Sequence, residues 1–266
     1  MKLQFLILIF LLTNLIWGKD YALIVGNWNY SKVNGFEPFV KSAIESDINN
    51  YKEILKKKGV STPKILEDAT KAQIINALKD IEKKIKKNDR FYMFFTGHGL
   101  NAYNKEYRLA LYGTSYQNIK LIEYMENSGA IVPIDLDKNN LSKTLIIGRI
   151  DLKPIFKKID KKVKSALVVF DACYSEKSSR QYRGKVNRNL NKNILKDKNS
   201  NYPYSKIVYI SSSVIEAEVG VFSNVLKNCL LKNNENKEVE KCLNRNSKIE
   251  AQIPAIFPKY KKINLF

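Results

Sequence analysis

The sequence predicts an α/β protein in which helices cover both faces of a mostly parallel central sheet. Three observations carry that prediction. Tyr21–Gly26, Phe91–Thr96 and Ala166–Phe170 are near-continuous apolar runs, the composition of strands buried on both faces rather than one. A helix, a strand and a second helix stand between the first two runs, so the first third reads βαβαβ, whose crossovers require parallel strands. The chain has 266 residues; setting aside residues 1–18 leaves 248, ample for one such domain with a buried core.

The elements follow in order. Tyr21–Gly26 is a strand closed by Gly26. Over 40–58, Val40, Ala43, Ile44, Ile48, Tyr51, Ile54 and Leu55 recur at helical spacing, and Gly59 supplies the stop. Lys64–Leu66 is a short strand. Thr70 and Gln73 form a capping box for a helix whose apolar stripe is Ile74, Leu78, Ile81 and Ile85. Asn88-Asp89 turns the chain into Phe91–Thr96. The middle is less regular: Tyr107–Leu111 and Ala130–Val132 read as short strands beside a long loop. Residues 151–160 read as a short helix carrying Leu152, Ile155, Phe156 and Ile159. After Ala166–Phe170, the basic, Asn- and Ser-rich stretch 176–205 reads as an exposed loop. Lys206–Ile210 is a strand, Val219–Leu231 a helix with Val221, Phe222, Val225 and Leu226 inward, and 252–258 a tail broken by prolines.

Met1-Lys2, the apolar run Leu3–Trp17 and the small Gly18 read as a secretory signal peptide, cut near Gly18 and leaving 19–266 as one domain, with an uncleaved membrane anchor as the alternative. The run falls short of the roughly 20 residues a membrane span needs, so no stable membrane insertion is expected after cleavage. The expected location is secreted or periplasmic. Lysine and arginine number 46 against 26 acidic residues, a formal charge of +20; removing residues 1–18, with one lysine and no acid, leaves +19. The lysines cluster as Lys56-Lys57-Lys58, Lys83-Lys84 and Lys161-Lys162 on helices, as solvated faces do, and no nucleic-acid module occurs; no specific nucleic-acid partner is expected. Cys229 and Cys242, 13 residues apart, either join as a disulfide in an oxidising compartment or remain two buried thiols. With one histidine and no CxxC, no metal site is expected.

Two short patches hold the reactive side chains. Phe94-Phe95-Thr96-Gly97-His98-Gly99 presents the single histidine, and Val169-Phe170-Asp171-Ala172-Cys173-Tyr174-Ser175 one of three cysteines. Ligand sites of parallel sheets lie at the carboxyl ends of strands. His98 falls just past one such end and Cys173 at another, so adjacent strands would bring them to one rim. A thiol is only partly ionised at neutral pH, and an imidazole beside it makes it a nucleophile and later protonates the leaving amine. Cys173 is the candidate nucleophile and His98 the candidate base and acid. Gly97 allows a sharp exit from the strand, and Gly99 a close approach of substrate backbone.

These patches, with Tyr21–Asn27, Ala43–Asp47, Ile131–Asp135 and Gly220-Val221-Phe222-Ser223 in the same order, resemble the caspase-like cysteine peptidases, and within them the bacterial metacaspase-like branch. The chain departs from that pattern at Ser46 (commonly Asn), Tyr174 (frequently His) and Glu176 (commonly Gly). The resemblance implies a three-layer sandwich, a Cys173–His98 dyad, and an oxyanion hole formed by the Gly99 and Cys173 amides. It implies that Asp47 and Asp171 line a primary pocket selecting Arg or Lys. It further implies a protein or peptide substrate, and cleavage by the enzyme itself in 176–205, where Arg180, Arg183, Lys185 and Arg188 stand. Some relatives bind calcium through acidic clusters; no clear set exists here, so no cofactor is expected. The alternative is a caspase-like module that binds peptides or partners without turnover.

Overall fold

The three apolar runs form the middle of a single sheet. In the computed structural model, which describes residues 18–33, 35–60, 62–100, 130–174, 202–212, 220–246, 254–258 and 261–266, they become β1 (Asp20–Gly26), β3 (Arg90–Leu100) and β6 (Ser165–Tyr174). For Cys173, Tyr174 and Ala255 the description extends to the backbone alone. The remaining strands are β2 (Lys64–Glu67), β4 (Ala130–Ile131), β5 (Ile146–Ile147), β7 (Ile207–Ser211) and β8 (Ala255–Phe257). The helices are α1 (Lys41–Lys57), α2 (Lys71–Lys84), α3 (Leu141–Thr144), α4 (Lys153–Lys162), α5 (Val221–Lys232) and α6 (Asn236–Asn244).

The strand order is β2-β1-β3-β6-β7-β8, parallel from β2 to β7 and closed by antiparallel β8. Side-chain alternation divides the core into two layers. Phe91, Met93 and Phe95 of β3, with Ala166, Val168 and Phe170 of β6, pack under α2 and α4. Tyr92, Phe94, Leu167 and Val169 pack under α1, α5 and α6. This is the predicted three-layer sandwich. The Thr70–Gln73 capping box forms as read: Gln73 N–H donates to the Thr70 hydroxyl, and the Gln73 side chain accepts from Thr70 N–H.

Several boundaries differ from the sequence reading. β3 and β6 run on through the glycines and the cysteine, so His98 and Cys173 lie inside strands rather than past their ends. The extension arises because β1 stops at Gly26 and β4 takes its place along β3, pairing Gly99 with Ile131, while β6 continues beside β3 as far as Tyr174. The prolines of the tail flank β8 instead of breaking it, which a short edge strand tolerates. α6 escaped the sequence reading because only Val239 and Leu243 give it an inward apolar stripe. A turn of π-helix over Gly148–Leu152 precedes α4 and delays its start to Lys153. The predicted strand Tyr107–Leu111 and most of the predicted loop 176–205 lie outside the described residues, as does the leader up to residue 17.

Of the two readings of Cys229 and Cys242, the disulfide is the one formed, tying α5 to α6 with Cα atoms 5.7 Å apart.

Candidate active site

Residues Arg90–Gly99 of β3 pair one to one with Ser165–Tyr174 of β6. That register sets Thr96 beside Asp171 and His98 beside Cys173. Strand neighbours in register lie about 5 Å apart. Alternation puts positions 96, 98, 171 and 173 on the face covered by α1 and α5. The 75 residues separating His98 from Cys173 in the chain are therefore closed by the ladder, and the site sits at its carboxyl end.

The His98 ring is buried in an aromatic enclosure. Phe39 stacks on it at 4.2 Å between centroids, Tyr30 meets it edge-on at 4.5 Å, and Phe36 tilts against it at 5.1 Å. The backbone is pinned as well. His98 N–H donates to the Tyr30 hydroxyl (3.1 Å), which itself donates to the Val132 carbonyl (3.0 Å), and Val132 N–H donates to the His98 carbonyl (2.9 Å). Gly97 adopts φ of +152°, and a Cβ there would meet the Tyr30 hydroxyl at 2.7 Å, so this close approach requires glycine.

The tautomer follows from one contact. Nε2 lies 2.8 Å from the Glu37 carbonyl, which can only accept, so in the neutral ring Nε2 carries the hydrogen and Nδ1 the lone pair. Nδ1 is buried and has no hydrogen-bond partner among the described residues. Burial lowers the imidazole pKa to about 4, against the opposing pull of the Glu37 carbonyl and charge. The ring is thus neutral at pH 7, with its basic nitrogen uncommitted.

Two buried carboxylates sit beneath the same rim. Asp47 projects from α1 and accepts from the Thr96 hydroxyl (2.8 Å) and the Ser223 hydroxyl (2.5 Å). Asp171, two residues before Cys173, accepts from the Tyr51 hydroxyl (2.9 Å). Burial raises Asp47 to about 6, moderated by the two hydroxyls. Asp171 is held well above the ordinary carboxylate range by burial and then by the neighbouring Asp47 charge. Neither forms an ion pair with a lysine or arginine among the described residues. Asp47 is therefore not a solvated helix residue, and two buried carboxyls both raised above the ordinary range mark this place as a candidate site.

The fold brings together His98, Cys173, Gly99, Asp47 and Asp171; Gly99 pairs with Ile131 on one side and with Tyr174 on the other. Cys229 and Cys242 stand apart from this group, between α5 and α6. Sequence reasoning missed the Glu37 carbonyl, Phe39, Tyr51 and Ser223 as members of the site. Ser223 alone carried a signal, as the last residue of the Gly220–Ser223 helix start. Among the described residues no group of three or more His, Cys, Asp or Glu side chains is placed to hold a metal ion. No described helix is long and apolar enough to cross a membrane.

A helix-covered parallel sheet with a histidine and a cysteine on neighbouring strand ends is the architecture of a cysteine hydrolase. The sequence model of the caspase domain matches residues 19–262, and the chain belongs to the caspase family of cysteine peptidases. No curated protein matches the chain.

Proposed function

We propose that the protein is an endopeptidase that cleaves after Arg or Lys, with Cys173 as nucleophile and His98 as base and acid. The observation that supports this most is the register His98↔Cys173 combined with the free Nδ1 lone pair. Nδ1 takes the thiol proton as sulfur attacks the scissile carbonyl carbon. The Gly99 and Cys173 amides, one step out of register across the two strands, hold the resulting oxyanion, a contribution worth about 100- to 1,000-fold per donor. Collapse breaks the C–N bond, and Nδ1–H passes its proton to the leaving amine. Water, deprotonated by Nδ1, then attacks the acyl-thioester and releases the thiolate. The Glu37 carbonyl keeps the ring in the required tautomer and shares the charge when it is protonated.

Asp47 and Asp171 supply the selectivity. They form a buried carboxylate pair with no cation among the described residues, which an Arg or Lys side chain complements. The fluorogenic test uses otherwise identical peptides ending in Arg, Lys or Asp, with and without calcium. Turnover of the first two, lost in Cys173→Ala, is the expected result; preferential cleavage after Asp overturns the pocket reading, and a biological effect that survives Cys173→Ala favours a non-catalytic binding module.

We also read the chain as exported and as cutting itself within 176–205. The Cys229–Cys242 disulfide supports export, since such bonds persist in oxidising compartments. A cut after Gly18 has a structural consequence: Lys19 N lies 2.7 Å from the buried Asp89 carboxylate, so the new terminal ammonium would arrive already paired. N-terminal sequencing of the exported protein checks the first point. Mass spectrometry of wild type beside Cys173→Ala checks the second, where identical fragments from both would exclude self-cutting.

A further inference from the structure

The two carboxylates are held differently. Asp171 receives the Tyr51 hydroxyl at 2.9 Å, with the Ser212 hydroxyl beside it. Asp47 receives two hydroxyls, and one of these is itself constrained: Asn50 Nδ2 donates to Ser223 Oγ at 2.8 Å, and Ser223 Oγ donates to Asp47 Oδ1 at 2.5 Å. A serine hydroxyl has a single hydrogen. With the Asn50 amide aimed at its oxygen, that hydrogen goes to Asp47 at 2.5 Å rather than to the Gly220 carbonyl 3.4 Å away. All three groups are buried, Ser223 and Asp47 completely, so water does not substitute for a missing member. Thr96 donates to the other oxygen, so both oxygens of Asp47 are required as acceptors. Ser223 stands in the first turn of α5, which is capped by Gly220 at φ of +89°.

We propose that Ser223, oriented by Asn50, is the positioning residue of the primary pocket, fixing Asp47 as the anion that receives the basic side chain of the substrate. This rests on the reading of Asp47 and Asp171 as that pocket. The groups facing Asp47 are Thr96 from β3, Asp171 from β6, Tyr51 and Asn50 from its own helix, and Ser223 with the Gly220 backbone from α5. Asp171 and Tyr51 are the titratable ones among them. Removing a donor to a carboxylate disfavours its charged form, so loss of the Ser223 hydroxyl moves the acid limb of substrate capture to higher pH.

The experiment measures kcat and KM from pH 5 to 8 for a peptide ending in Arg and for the same peptide ending in citrulline, which is neutral and nearly isosteric. Ser223→Ala is expected to raise KM for the Arg peptide about tenfold, with most of the loss in KM rather than kcat, and to shift the acid limb of kcat/KM upward by about one pH unit. Citrulline kinetics should stay within about twofold, and Ser223→Thr, which keeps the hydroxyl, should restore both readouts. Asn50→Ala leaves the serine hydrogen unconstrained and should shift the same limb by a smaller amount, which keeps the test available if Ser223→Ala folds poorly. An unmoved acid limb in both variants, or equal losses on both peptides, overturns the positioning role. A wild type that does not distinguish Arg from citrulline overturns the pocket itself, and the proposal with it.

Discussion

The two rims of the sheet treat their buried carboxylates in opposite ways. At the amino ends of the strands every buried or half-buried carboxylate among the described residues is answered. Asp20 makes a two-pronged pair with Arg90 (2.6 and 2.7 Å), with the two residues in register at the start of β1 and β3. Asp89 accepts Lys19 N–H and Lys86 N–H, both at 2.7 Å. Asp160 accepts the amides of Ser205, Lys206 and Ile207 and the Ser205 hydroxyl where the chain enters β7. At the carboxyl ends, Asp47 and Asp171 face each other with hydroxyls and no cation among the described residues, and His98 is neutral with an idle nitrogen. One rim is complete without a ligand. The other holds two buried carboxylates and an imidazole all displaced from their ordinary titration ranges, which is the pattern expected of a working site.

The largest effect separating the rims is catalytic. His98→Ala and Cys173→Ala should each lower kcat/KM on Arg and Lys peptides by about 10⁴-fold or more, seen in a fluorogenic assay, while leaving the fold intact by circular dichroism. Next, Asp160→Ala at the opposite rim leaves one buried and two part-buried amides without an acceptor and should cost about 3 kcal/mol of stability with unchanged kcat/KM, read by urea denaturation. Were Asp160→Ala to damage catalysis selectively, the division between rims would fail. Asp171→Asn reverses that outcome. It should lower kcat/KM for basic substrates about 100-fold, yet raise thermal stability at pH 8 by a few degrees, because an amide still accepts from Tyr51 and no longer repels Asp47.

The smallest effect is in the pH dependence of stability. Asp47 is raised to about 6, so its favourable contribution is full below its unfolded value near 3.8 and fades as pH rises through 6. His98 is depressed to about 4, so its contribution is full above its unfolded value of 6.5 and fades as pH falls through 4. Between about pH 4 and 6 neither contribution is full and their opposite slopes offset each other, while Asp47 becomes increasingly protonated as pH falls below 6. The stabilisation gained in Asp171→Asn should therefore shrink at pH 5 relative to pH 8, as thermal melts at the two pH values would register; a gain equal at both would place its origin in packing instead.

The central strands were legible because runs such as Phe91–Phe95 and Ala166–Phe170 have one stable place, the interior of a parallel sheet, and α2 was legible from its cap and its stripe. Their order and the patches at their ends were enough to expect His98 and Cys173 on one rim. The C-terminal elements were not legible. α6 depends on a disulfide to α5 and on two apolar residues, and β8 on an edge offered by β7, neither of which is a local property.

Side-chain identity and local pattern placed the reactive residues on their strands, because burial of apolar runs and the glycines beside them act over a few residues. The protonation state of His98, the shared burial of Asp47 and Asp171, and the hold of Ser223 on Asp47 arise from contacts between residues 49 to 176 positions apart, and from the Glu37 carbonyl, a backbone atom every residue type possesses. Pairing strengths and pKa values depend on distance and desolvation, and those exist only after helices from both ends of the chain have closed over the same face of the sheet.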